Sequence, residues 1–129
     1  MGQRPNLPAE FRSEARVAFA FLVENEGFAE PNEDHLGLTY RRADLEVCLW
    51  IHSGRPEPGV STHLNPIAPD GTRGRAVWLE DIYTATGCGP PQDVPHSVHN
   101  RRSMLKRVHQ HADALRRLLP RLPARFPDP

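Results

Sequence analysis

Seven histidines and two cysteines are the side chains of this 129-residue chain with the widest chemical range. A zinc site needs three or four converging His, Cys or carboxylate ligands at recognisable spacings. His96 and His99 stand three apart and share a face of any helix that spans them, whereas His109 and His111 stand two apart and do not. His52 and His63 fall on candidate neighbouring strands and can meet across a sheet. No HExxH, CxxC or two-His-one-carboxylate pattern accompanies any of these pairs, so the sequence predicts no metal and no cofactor. Were a metal found, His52 and His63 would be the first ligands to test.

Nucleophilic chemistry has equally little to work with. There is no GxSxG elbow. Cys48 and His52 share a strand face, but four residues of strand rise hold them roughly 13 Å apart. Cys88 lies between Gly87 and Gly89, with no adjoining base in the sequence to lower its pKa. Glu80 and Asp81 are neighbours that point apart on a helix, and Gly71-Thr72-Arg73-Gly74 lacks the strand, loop and helix context of a phosphate site. The expectation is therefore of a protein that is not an enzyme and has no catalytic residue. A small enzyme using Cys48, His52 or His63 is the third-ranked alternative.

The elements that must position these residues follow from periodicity. Phe11, Ala15, Ala18, Phe19 and Leu22 recur at helical spacing, which predicts a helix over 8–26 that starts near Pro8 and stops at Gly27. Leu36, Leu38 and Tyr40 then alternate, as do Leu45, Val47, Leu49 and Ile51, so two strands follow the helix. On the second strand Glu46, Cys48, Trp50 and His52 face away from the aliphatic row. Residues 30–34 read as an acidic turn and 53–59 as a loop. Val60, Thr62 and Leu64 give a third strand, and 75–77 a short fourth one.

A short helix over 78–86, ended by Gly87, and a long one from Pro95 to Pro120 complete the order. The long helix carries an apolar stripe of Val98, Leu105, Val108, Ala112, Leu115 and Leu119. A partner surface for that stripe is the sheet, the first helix or a second copy of the chain, so a homodimer through this helix is one expectation. The predicted class is α+β: a single domain over 1–129, an antiparallel sheet of three or four strands covered by helices, and loosely ordered tails at 1–7 and 121–129.

Charge is segregated although the total is zero. From His96 onward eight Lys or Arg face two acids, and residues 1–95 hold eight bases and fourteen acids. The basic helix either neutralises the acidic body from within or offers Arg102, Lys106, Arg116 and Arg117 to an acidic protein or a polyanion. Trp50, on the strand face opposite the aliphatic row, is either covered by another element or exposed as an interface anchor. No stretch approaches the roughly 20 apolar residues of a membrane span, and Met1 to Glu10 lacks the apolar centre of a signal peptide, so a cytoplasmic location is expected.

The order of these features resembles small bacterial proteins of the immunity type. The carriers are Phe21-Leu22 and Gly27-Phe28 around the end of the first helix, Tyr40 ending a strand, Leu45-x-Val47-x-Leu49 and a leucine-rich closing helix over 105–119. The proline-rich 53–69 region and the basic last helix depart from that pattern. The resemblance implies a non-enzymatic protein that binds and blocks another protein. The leading expectation is such a binding module, with Trp50, Arg102, Lys106, Arg116 and Arg117 on its docking surface. Nucleic-acid or regulatory binding through the basic helix is the alternative.

Overall fold

A computed structural model describes residues 7–35, 37–52 and 58–122. Two helices, α1 (Leu7–Ala18) and α2 (Ala20–Asn25), precede an antiparallel meander of β1 (Asn32–Glu33), β2 (Gly37–Arg41), β3 (Leu45–His52), β4 (Gly59–Pro66) and β5 (Val77–Trp78). Strand order in the sheet is the order in the chain, β1-β2-β3-β4-β5. Helix α3 (Leu79–Ala85) continues directly from β5, and α4 (Arg101–Leu118) closes the fold, with 3-10 turns at Pro91–Asp93 and Leu119–Arg121.

The period-two pattern determines which face of the sheet is covered. Leu45, Val47, Leu49 and Ile51 of β3, Leu38 and Tyr40 of β2, and Val60 and Leu64 of β4 form one core with Phe11, Ala15, Phe19 and Leu22 of the N-terminal helices. Leu79, Ile82 and Tyr83 of α3 and Met104, Val108, Ala112 and Leu115 of α4 complete it. All the helices thus lie on the aliphatic side, and the other face carries Glu46, Cys48, Trp50, His52, Ser61, His63 and Asn65.

The architecture is the expected α+β one, with five strands where three or four were anticipated. The additions are two-residue edge strands, β1 within the stretch read as an acidic turn and β5 at 77–78. The first helix is interrupted at Phe19. A straight helix would point Phe19 and Phe21 about 200° apart, whereas the bend buries both, at 1% and 5% exposure. The last helix begins at Arg101, not at Pro95. Its start is set by a capping box, in which Ser103 N–H donates to Asn100 Oδ1 at 2.8 Å and Asn100 N–H to Ser103 Oγ at 3.0 Å. Gly87 ends α3 at φ +77°, where the Cys88 amide donates back to Tyr83 O at 3.0 Å.

Of the tails expected to be loose, Leu7 opens α1 and Arg121 closes a 3-10 turn. Residues 1–6 and 123–129, Leu36 of the expected core and 53–57 of the expected loop lie outside the described residues. No described helix is long and apolar enough to cross a membrane. Val47 is fully buried at the centre of the core. Val47→Asp would bury an unpaired carboxylate among aliphatic side chains and is expected to cost about 4 kcal/mol or more. A urea unfolding midpoint like that of the parent protein would show that Val47 is not in the core.

Candidate functional site

The uncovered sheet face is built in rows by strand register. Thr39, Cys48, His63 and Trp78 stand side by side across β2 to β5, Gly37, Trp50 and Ser61 form a second row, and Arg41, Glu46 and Asn65 a third. Both tryptophans of the chain are on this face, 37% (Trp50) and 46% (Trp78) exposed. The His63 ring lies between them, meeting Trp50 at 4.5 Å and 67° and Trp78 at 5.8 Å and 89°. These edge-on contacts suit the ring quadrupoles. With Ala76 the three rings line a cleft of about 340 Å³. Gly37 is needed beneath Trp50: a Cβ there would stand 2.7 Å from Trp50 Cδ1 and 1.9 Å from Leu49 O.

One end of the face is closed by the loop after β4. Asp70-Gly71 makes its turn, with Thr72 N–H donating to Asp70 Oδ1 at 2.9 Å and Gly71 at φ +88°. Asn65 Nδ2 donates to Gly74 O at 3.2 Å, and Arg73 reaches over the sheet to Glu46 at 3.1 Å. Glu46 is only 3% exposed, so the guanidinium compensates a carboxylate that would otherwise be buried alone. Arg41, Glu46's exposed partner on β2, and the outer side of Arg73 leave this rim cationic.

The register brings Cys48 beside His63 and keeps it from His52, whose partner on β4 is Gly59. His52 and His63, suggested as a metal pair, are therefore not neighbours. No cluster of three or more potential metal ligands occurs among the described residues. Burial pushes the Cys48 thiol up to about 11, against a hydrogen bond from Thr39 that lowers it. Its S–H donates to Glu46 Oε1 at 3.8 Å, and burial holds His63 below its ordinary value, so the pair does not prepare a thiolate.

The basic residues of α4 lie across the molecule from this face, because α4 packs on the aliphatic side of the sheet. Trp50 and the four α4 cations cannot share one flat docking surface. Arg116 covers Phe21 with its guanidinium 4.5 Å from the ring, and Arg117 donates to Tyr83 Oη at 3.1 Å and approaches Asp93 at 3.7 Å. Arg101 pairs with Glu10, so part of the terminal basic charge is neutralised by the acidic body, and His109 Nε2 meets Glu14 Oε2. Arg102 and Lys106 are exposed. The apolar stripe of α4 is buried within its own chain at Val108, Ala112, Leu115 and Leu119, which leaves a second copy little of it to cover.

His96 and His111 are built into the fold through their rings. His96 is hydrogen-bonded through both ring nitrogens, as is the fully buried His111, and the His99 amide donates to Ser103 Oγ at 2.9 Å. His96 and His99 precede α4 and share no helix face. The sequence pattern places Trp78 at the start of a helix, which hides its position on the sheet. Its signal was positional: it precedes Leu79 as the last residue of a strand and the N-cap of α3.

The chain matches no known family model, no curated protein and no solved structure. The state of the thiols gives a direct check on this chemistry. At pH 8 a thiol with a pKa near 11 is thiolate to only about one part in a thousand. Iodoacetamide at pH 8 is therefore expected to alkylate half-buried Cys88 first and leave Cys48 unmodified in the folded protein. Mass spectrometry of the peptides showing Cys48 modified at the faster rate would mean that it is activated.

Proposed function

We propose that this chain is a non-catalytic binding protein that docks another protein on its helix-free sheet face. The observation that carries the reading is the pair of half-exposed tryptophans flanking His63 on a face that none of the described helices covers. Tryptophan contributes large rigid contact area at low entropic cost and dominates the centres of protein interfaces. The cationic rim of Arg41 and Arg73 favours a partner that is acidic around its contact, and the immunity-type resemblance suggests a partner that docking neutralises.

Single-stranded nucleic acid is the competing occupant, because exposed rings on a sheet also stack bases. Strand binding, however, requires a continuous run of cations along the backbone path. Arg41 and Arg73 are gathered at one rim and form no such run, and the α4 cations are on the far side of the molecule. The arrangement therefore supports a protein better than a strand. It also moves the proposed contact from Arg102, Lys106, Arg116 and Arg117 to Trp50, Trp78 and their rim.

The test begins with affinity capture by the wild-type protein, by Trp50→Ser/Trp78→Ser and by Arg102→Ala/Lys106→Ala. A captured protein made recombinantly should form a stoichiometric complex with wild type and with the arginine–lysine variant. It should lose at least about tenfold in affinity with the tryptophan variant. Complex formation should also protect both indoles from N-bromosuccinimide. Equal affinity for all three proteins would reject this face. Micromolar binding of mixed-sequence single-stranded DNA or RNA, falling steeply with salt, would replace the protein reading with the nucleic-acid one.

A further inference from the structure

On the opposite side of the sheet, residues 95–98 run along the outer edge of β4. The Val60 amide donates to His96 O at 2.9 Å, Val98 N–H donates to Pro58 O at 3.0 Å, and Gly59 bridges Ser97. The segment is anchored by its own histidine. His96 Nδ1 lies 2.9 Å from Val60 O and Nε2 lies 2.5 Å from Glu80 Oε2. A carbonyl and a carboxylate can only accept, so each nitrogen must carry a proton and the ring is an imidazolium. The other Glu80 oxygen, Oε1, is buried without a hydrogen-bond partner, so beyond the carboxylate's bond to its own backbone amide His96 is its side-chain partner.

We propose that the Glu80–His96 pair is a protonation-dependent clasp: the doubly protonated ring ties residues 95–98 to the edge of β4, and loss of its second proton releases that edge. A neutral ring can satisfy Val60 O or Glu80 but not both. Either choice breaks a tie, and losing the second leaves a half-buried carboxylate without its side-chain donor. The released edge presents unpaired backbone groups of the kind to which an added strand pairs.

The groups facing His96 set the sense of the switch. Glu80 and Asp81 of α3 favour the imidazolium, while His111 and Arg107 of α4 and His52 of β3 lie on its other sides. The Glu80 hydrogen bond raises the His96 pKa against the opposing effect of burial. Burial is the largest influence on Glu80 and would raise it, but the hydrogen bonds from His96 and from its own backbone amide, with the nearby histidine charge, together hold the carboxyl below its ordinary value. His111, with its ring 5.6 Å from that of His96, stays neutral: burial pushes it down to about 4, Nε2 donates to Pro95 O at 2.7 Å and Nδ1 accepts from Thr62 Oγ1 at 2.8 Å. Arg107 donates to Ser97 O at 2.9 Å and keeps its charge throughout. Of the three ties on the segment, the one through His96 is therefore the one that a rise in pH removes. Because its folded pKa is raised, its stabilisation is fully present below pH 6.5 and is lost as pH rises through the raised value.

Amide hydrogen exchange from pH 5.5 to 9, corrected for the intrinsic rate, tests this together with a titration of the His96 ring by NMR. Protection at Val60 and Val98 should fall by up to about tenfold per pH unit above the His96 midpoint, the slope for release of one proton. The β2–β3 amides should keep theirs. The dependence should vanish in His96→Gln and persist in His52→Gln. Constant protection at Val60 and Val98, a midpoint differing from that of the His96 ring, or parallel loss across the whole sheet would overturn the clasp. The wild-type profile decides the matter even if His96→Gln fails to fold.

Discussion

The rest of the structure depends on the in-register pairing of β3 with β4, eight residues against eight from Leu45↔Pro66 to His52↔Gly59. Because side chains alternate with period two, a slip of one residue would send Val60 and Leu64 to the uncovered face and His63 into the core. The present register does three things at once. It aligns the aliphatic rows that the helices cover, it sets Thr62 under His111, and it places His63 in reach of both tryptophans. The two faces are therefore not independent, and the aromatic cleft is the reverse side of the hydrophobic core.

Much of this was legible in the sequence, for identifiable physical reasons. The alternation over 45–51 is strong enough to fix both the strand and its buried side, and Trp50 was correctly separated from the aliphatic row. Gly27 and Gly87 ended helices where left-handed backbone was needed, at φ +80° and +77°. The start of α4 was misplaced because Pro95 is an acceptable first-turn residue, while the deciding signal was the reciprocal Asn100 and Ser103 bonding. The site was legible only in part. Pairings such as Cys48↔His63 and His63↔Trp78 are set by strand register across loops whose lengths do not reveal it, and the burial of Glu46 depends on Arg73, 27 positions away.

Charge is managed in two different ways. The acidic body and basic terminus meet in exposed pairs such as Arg101–Glu10 and His109–Glu14, which contribute little to stability and mainly set how α4 lies against α1. Glu46 is buried and Glu80 half-buried, and each is held by a side chain reaching in from a connecting segment. A partly buried charge is expensive to strand, so these two carboxylates specify where the segments at 68–76 and 95–98 lie, more than they stabilise the fold.

That arrangement bears on how the sheet can be recognised. Strand addition needs a free edge. The edge of β4 is taken by residues 96–98 at one end and β5 at the other, and that of β2 by β1 and by the Ala29 amide, which donates to Arg41 O at 3.0 Å. Short edge strands and covering segments are how sheets avoid pairing with other chains. With the long strands flanked in this way, the sheet ending in two-residue strands and one face filled by helices, the broad open surface of the sheet among the described residues is the face bearing Trp50 and Trp78. The proposed docking on this face would thus be made through side chains and not backbone, and its fit would be governed by the spacing of two indoles that His63 and Gly37 hold in place.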